Sequence, residues 1–187
     1  MRLARYFCSF LLLPFLSHPC PAQSQASFTP YDVEAAYLYN FGKFVEWPAA
    51  AGASSQPFSI CILGQDNFGE KLNNLIAGET MQGREVAARR LASIADADNC
   101  QILFIGASET ARLEKDLAVL ETRPILTVSS LPSFLEHGGM IQFLLEDNRV
   151  RFAVNLPAAR RTGLALSSEL LKVAVYVTTK PTGKEQR

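Results

Sequence analysis

Phe58-Ser-Ile-Cys-Ile-Leu-Gly64 and Gln101-Ile-Leu-Phe-Ile-Gly106 are the two segments on which the fold turns. Each is an unbroken apolar run of strand length that ends in glycine and leads through turn residues into a helical pattern. After Gly64 come Gln65-Asp66-Asn67 and a helix expected through Phe68, Leu72, Leu75 and Ile76; after Gly106 comes a helix expected over 109–120. Strands without polar alternation are covered on both faces, and strands alternating with helices pair in parallel. A further strand is expected over 85–91, behind the turn residues Gly78 and Gly83, with a short helix or turn over 93–99. Another is expected over 125–129, followed by a short helix over 132–137. The rhythm then changes: 140–145 and 150–155 flank Glu146-Asp147-Asn148-Arg149, which reads as a hairpin with a tight turn at the sheet edge. A final helix is expected over 157–176, broken near Gly163. The class is α/β, a three-layer Rossmann-like open mixed sheet, mostly parallel with a C-terminal β-hairpin and flanked by helices.

Ahead of the first strand lies Tyr37-Leu-Tyr-Asn-Phe-Gly-Lys-Phe-Val-Glu-Trp-Pro48, which ends in the only tryptophan. Six of the eighteen aromatic residues fall between positions 31 and 47. Thr29 can cap a helix, Pro30 suits its first position, Asp32 stands where a carboxylate reaches back to the cap, and Pro48 marks the stop. Val33, Ala36, Tyr37, Asn40, Phe41 and Phe44 recur at helical spacing and are expected to form the inner stripe. Tyr39, Lys43 and Glu46 lie off it and are expected to be wetter; with Trp47 they are candidate partner-binding residues. Residues 49–56 form a small-residue connector.

The chain has 187 residues, 48% hydrophobic and 19% charged, enough for one domain with a sizeable core and unlike a disordered chain. Arg2 and Arg5 precede an apolar run over 6–16 and then Pro19, Pro21 and small residues, the pattern of a secretory signal peptide over 1–26. That run is shorter than the roughly 20 residues that span a bilayer. Cleavage after Ala22 or after Ala26 satisfies the small-residue preference equally. Cys20 as a lipid-bearing first residue is disfavoured by His18 and Pro19 before it. A single domain is expected over 27–179 and a flexible polar tail over 180–187. Basic and acidic residues balance at 18 each, and loss of Arg2 and Arg5 leaves the mature chain slightly acidic. Without a Lys/Arg cluster, no nucleic-acid partner is indicated.

Of the four cysteines, Cys8 and Cys20 fall in or beside the export signal, which leaves Cys61 and Cys100 as an even pair in an oxidising compartment. A disulfide between them is the preferred reading, and two buried thiols the alternative. His137 is the only histidine beyond the signal and no close Cys/His spacing exists, so neither a metal site nor a cofactor is expected.

Ligands in open α/β sheets bind at the carboxyl ends of the strands, which makes Asp66, Ser108 and Ser129 the candidate ligand-binding residues. Gly106-Ala-Ser-Glu-Thr110 has the strand–turn–helix setting of a nucleophile elbow but lacks the second glycine, and helix capping is its ordinary explanation. Gly64-Gln-Asp-Asn-Phe-Gly69 does not meet the dinucleotide fingerprint. Asp66 stands alone where a phosphoacceptor site needs several acids. Arg151, Arg160 and Arg161 read as solvated surface, and Asn155 as a helix cap. No catalytic set emerges, and the chain reads as a non-enzyme.

The segment from Ala36 to Pro48, together with Gly138-Gly-Met-Ile-Gln-Phe-Leu-Leu-Glu-Asp-Asn-Arg-Val-Arg-Phe-Ala-Val-Asn155, Ala158-Ala-Arg160 and Gly163-Leu-Ala-Leu-Ser-Ser168, resembles the YfiR family of bacterial periplasmic proteins. Cys61 and Cys100 fall where that family's paired cysteines do; a later pair found in some members has no counterpart here. The resemblance implies a periplasmic non-enzymatic regulator. It would bind the periplasmic sensor part of an inner-membrane diguanylate cyclase and repress it, lowering cyclic-di-GMP and biofilm formation, and an OmpA-like outer-membrane lipoprotein would draw it away. A homodimer is compatible with it. The other reading kept open is a small-ligand sensor acting with a histidine kinase.

Overall fold

The structure is a computed structural model that describes residues 29–48 and 56–180. The expected signal peptide, most of the small-residue connector and the tail beyond Lys180 lie outside the described residues. The elements are α1 (Pro30–Phe44), β1 (Val45–Glu46), β2 (Phe58–Leu63), α2 (Glu70–Ile76), β3 (Thr80–Met81), β4 (Arg84–Leu91) and β5 (Ile102–Ile105). They continue with α3 (Leu113–Leu120), β6 (Leu126–Ser129), β7 (Ile141–Glu146), β8 (Arg149–Asn155), α4 (Leu156–Arg161), β9 (Ala165–Leu166), α5 (Ser168–Val173) and β10 (Val177–Thr178).

Eight strands make one sheet in the order β10-β8-β7-β6-β5-β2-β4-β3. The two apolar runs lie side by side at its centre: β2 pairs in parallel with β5, Ile60 opposite Ile102 and Leu63 opposite Ile105. Every residue of β2, β5 and β6 is buried, as covering both faces requires. Successive side chains of a strand point to opposite faces. Accordingly Phe58, Ile60 and Ile62 join one core with Leu38, Phe41, Leu72 and Ile76, while Cys61 and Leu63 join the other with Leu113, Leu117 and Leu120. The three-layer α/β architecture expected from the sequence is the one present. The cysteines also pair: Cys61 in β2 and Cys100 ahead of β5 form a disulfide, Cα–Cα 5.9 Å, across a sequence separation of 39. That link ties the two central strands at one end of the sheet.

The hairpin is the β7–β8 antiparallel pair, closed by Asp147 and Asn148, both at positive φ. It is not the edge, however, because β10 pairs in parallel with β8, Val177 opposite Val154. The expected helix over 157–176 is two short helices, with β9 between them. Gly163 (φ +81) ends α4, Gly163 N–H bonding to the Arg160 carbonyl and Leu164 N–H to that of Ala159. This is the double bond of a glycine-terminated helix, and Ser167 then caps α5 by accepting from Leu170 N–H at 3.2 Å. The expected helix over 132–137 is a run of turns, interrupted where Ser133 takes φ +57. The helix expected over 109–120 begins as a 3₁₀ segment, Ala107–Arg112, before α3.

At the start of α1 the Asp32 carboxylate accepts from Thr29 N–H at 2.6 Å, as read from the sequence, and also meets Lys71 at 2.6 Å. The helix stops at Phe44 rather than at Pro48. Val45 turns to extended geometry because Val45–Glu46 pairs with Ala165–Leu166 and the Phe44 carbonyl accepts from Ser167 N–H. The inner stripe is rotated from the expected one. Glu34, Ala35, Leu38, Tyr39, Phe41 and Gly42 are buried, whereas Val33 and Phe44 are exposed and Ala36, Tyr37 and Asn40 half-buried. Apolar residues line α1 on nearly every side, so periodicity admits either phase. Close approach at Gly42 fixes it: a Cβ there would lie 2.0 Å from Met81 Sδ and 3.2 Å from the Phe58 ring.

Candidate functional site

Two places follow from the sequence: the end of α1 and the carboxyl ends of the strands. At the first, Lys43 and Glu46 are exposed as expected. Tyr39 is not; it is 7% exposed, its hydroxyl donating to Glu79 Oε2 at 2.5 Å and its ring beneath the Lys43 ammonium, 4.2 Å from the centroid. The Glu79 carboxylate that takes this bond holds the phenol above its ordinary pKa. Trp47 is also buried, 9% exposed, with its ring edge-on to Phe58 at 5.2 Å. The aromatic side chain exposed beside Lys43 and Glu46 is instead Phe44, at 40%. The surface at the end of α1 therefore presents a cation, an anion and a phenyl ring. Tyr39 and Trp47 hold the elements that carry it.

At the strand ends, β2 has β4 on one side and β5 on the other, so its junction with β5 is the point where the strand order reverses and where a ligand crevice is expected. The two loops instead pack directly on one another. A Cβ on Gly64 would meet Ser108 Oγ at 2.4 Å and Glu109 Cγ at 2.8 Å, and one on Gly106 would meet the Gln65 carbonyl oxygen at 2.7 Å. Gly106 has no room for a side chain because the Gln65 backbone stands against it, and Gly64, at φ +83, combines a left-handed backbone with the Ser108 and Glu109 side chains packed on its Cα.

The three candidate ligand residues are each engaged by their own neighbours. Ser108 Oγ accepts from Gln65 N–H at 2.9 Å and donates to Glu109 Oε1 at 3.0 Å. Ser129 is fully buried, donating to the Ile105 carbonyl at 2.7 Å and accepting from Leu131 N–H at 3.1 Å. Asp66 accepts from Arg90 Nε at 2.8 Å and from Phe68 and Gly69 N–H at 2.8 and 3.1 Å. Burial alone would raise the Asp66 carboxyl; the Arg90 guanidinium and the two backbone donors outweigh it and hold the pKa below its ordinary value. These bonds lock loops and do not converge on a common point. His137, the base that a Ser108 nucleophile would need, lies 3.2 Å from Glu114 on α3.

Asn155 caps α4, accepting from Ala158 N–H at 3.2 Å while donating to the Leu135 carbonyl at 3.1 Å. Arg151, Arg160 and Arg161 are exposed.

One titratable group near the strand ends escaped the sequence reading. Glu34 of α1 is 6% exposed, accepts from Ser130 Oγ at 3.0 Å through Oε1, and finds no partner for Oε2 among the described residues. Burial pushes its carboxyl up to about 7, against the smaller opposing effect of the Ser130 bond. A carboxylate beyond the capping Asp32, set between Val33 and Ala35-Ala36, was the available signal; it stayed unreadable while the phase of α1 was open. Among the described residues no group of three or more His, Cys, Asp and Glu side chains is placed to hold a metal ion. None of the helices described is long and apolar enough to cross a membrane.

A family described as YfiR/HmsC-like matches residues 31–175, the stretch from the first turn of α1 to the approach to β10. The chain belongs to this family. Its members are periplasmic regulators rather than enzymes. No curated protein matches the sequence. A crystal structure titled as a conserved domain protein from Vibrio cholerae O1 biovar El Tor superposes with a TM-score of 0.56 at 11% identity, covering 80% of this chain. The chain spans 60% of the length of that protein, and the likeness supports the α/β fold alone.

Proposed function

We propose that this YfiR-like protein is exported by the signal over residues 1–26. It then binds the periplasmic sensor part of an inner-membrane signalling protein, a diguanylate cyclase, and holds it in the inactive state. Membership of the YfiR/HmsC-like family across residues 31–175 carries this reading. Two features of the structure support it. The crevice where an α/β enzyme of this topology would bind substrate is filled by Ser108 and Glu109 against Gly64. The end of α1, in contrast, exposes Lys43, Phe44 and Glu46 on a surface whose backbone is fixed from below by β1–β9 pairing and by Trp47 on Phe58. An exposed ring flanked by opposite charges on a rigid scaffold suits a docking site, since an aromatic anchor loses little conformational freedom on binding and the charges fix register. Capture by an OmpA-like lipoprotein at the same surface would relieve the repression.

The test is cellular. Deleting the gene should raise cyclic-di-GMP and overexpression should lower it, both read by mass spectrometry of nucleotide extracts. No change in either strain would refute the cyclase reading. Lys43→Glu with Phe44→Ala should abolish repression while leaving thermal unfolding unchanged, and retained repression would move the interface elsewhere. Amino-terminal sequencing of the periplasmic protein would show whether processing follows Ala22 or Ala26.

A further inference from the structure

Glu34 lies in the first half of α1, beside the loop that leaves the carboxyl end of β6, and the docking role proposed above makes no use of it. Its carboxyl is enclosed. Ser130 Oγ donates to Oε1 at 3.0 Å, and Oε2 is buried with no donor among the described residues. The charged groups on the surrounding elements are engaged elsewhere. Asp32 pairs with Lys71 of α2, Asp66 with Arg90, Glu109 with Arg112 and His137 with Glu114, while Glu136 on the turns after β6 is exposed. Burial and the Ser130 bond are accordingly the two influences on its titration, and burial is the larger. One neutral hydroxyl does not replace the hydration of an ionised carboxylate, so the enclosure suits the protonated acid and disfavours the charged form. Ser130 itself is exposed, which places the carboxyl one hydroxyl away from solvent.

The two halves of α1 are held unequally. In the second half the Phe41 ring packs on Phe143 and Phe152 at 5.9 and 5.2 Å, Gly42 sits against Met81, and the Phe44 carbonyl accepts from Ser167 N–H at 2.9 Å. In the first half Ala35 and Leu38 are the buried apolar residues. Tyr31, itself exposed, meets Phe68 only edge-on at 6.5 Å. The Asp32–Lys71 pair has its lysine in solvent, where such pairs contribute little.

We infer that Glu34 is a proton-operated latch: as the neutral acid it seats the first half of α1 against the loop after β6, and on ionising it releases that half while the second half stays anchored. The charged carboxylate gains water by release, and the hinge falls between Leu38 and Phe41, where the anchoring ring contacts begin. Release uncovers the apolar surface of Ala35 and Leu38 together with what they cover, and acid withdraws it again. Local opening of a weakly held element, with the rest of the domain intact, is the form such a device takes in a packed fold. Its setting rests on the periplasmic role proposed above, in a compartment outside the cytoplasmic buffer. The latch itself is a property of the isolated chain, whichever membrane partner it serves.

Amide hydrogen exchange of the purified protein, resolved by peptide and corrected for the intrinsic rate at each pH, reads the latch without any partner. With 4.5 for the open form and about 7 for the closed one, protection over residues 30–38 should fall about 25-fold between about pH 5.5 and about pH 8. At the higher pH it should lie on the order of a hundredfold below that of β2 and β5, which open only with the whole domain. Glu34→Gln should abolish the fall. Ser130→Ala, which removes the donor that favours the charged form, should move the profile to higher pH, and it carries the test should Glu34→Gln fail to fold. Protection over 30–38 that equals that of β2 and β5 at every pH would show that α1 opens only with the whole domain, and would overturn the inference. So would a profile flat within about threefold, a Glu34→Gln profile like that of the wild type, or a Ser130→Ala profile that does not move. A crystal structure with a lysine or arginine bonded to Glu34 Oε2 would overturn it equally.

Discussion

Replacing Glu34 by Gln isolates the energetic cost of a buried carboxylate in α1. The carboxyl of Glu34 is displaced from 4.5 to about 7 by its burial, with only Ser130 Oγ bonded to it. A group whose folded-state pKa is raised favours the folded state fully below the unfolded value, and that contribution is lost as pH rises through the folded value. The window is therefore from 4.5 up to about 7, and stability falls across it. At 1.36 kcal/mol for each pH unit between the two values, the ionised folded form is disfavoured by about 3 kcal/mol. A glutamine of the same shape retains the Ser130 bond and never ionises. The variant should match the wild type near pH 4.5 and exceed it by about 2–3 kcal/mol at about pH 8. Urea unfolding of both proteins, extrapolated to water at each pH, reads the difference directly. Taking the difference cancels the contributions of every group common to both proteins. A gap between the two proteins that stays constant within about 0.5 kcal/mol across that range would refute a buried, protonatable Glu34.

Reducing the Cys61–Cys100 bond, or replacing both residues by Ala, should cost about 4 kcal/mol from the entropy of an unfolded chain freed of a 39-residue link, visible as a lower urea midpoint. Tyr39→Phe removes the hydroxyl bonded to Glu79 at 2.5 Å and should cost about 1 kcal/mol by thermal unfolding; an unchanged midpoint would mean that the bond is offset by solvation in the unfolded chain. Gly42→Ala drives a methyl into Met81 Sδ and should destabilise by about 1–3 kcal/mol, with Met81→Ala in the same chain recovering part of the loss. Asn155→Ala removes both the cap of α4 and the bond to the Leu135 carbonyl, for a loss of about 2–3 kcal/mol in the same assay.

What was legible in the sequence was the chemistry that acts locally or repeats. The runs 58–63 and 102–105 could only be strands covered on both faces, and Asp147-Asn148 could only close a hairpin. Thr29, Pro30 and Asp32 marked a helix start because capping needs no knowledge of the rest of the fold. The short elements were not legible: β1, β3, β9 and β10 are two residues each and exist through their partners rather than their own propensity. Of the candidate site, Lys43 and Glu46 are exposed as their spacing predicts, while Tyr39, expected to be wetter, is buried, Trp47 packs on the sheet, and Phe44, expected in the core, is exposed.

The sequence by itself therefore determined the order of the central strands and their flanking helices, a preferred cysteine pairing and the family resemblance, since each rests on residue types at fixed spacing. Only the tertiary structure decided which side of α1 faces the sheet. Its rings surround the helix, so hydrophobicity is nearly uniform about the axis, and the steric contact of Gly42 with Met81 breaks the tie. The same rotation buries Glu34 and Tyr39 and turns Phe44 to solvent. Arg84 and Trp47 likewise both pack on Phe58, a juxtaposition of residues distant in sequence that no local pattern encodes.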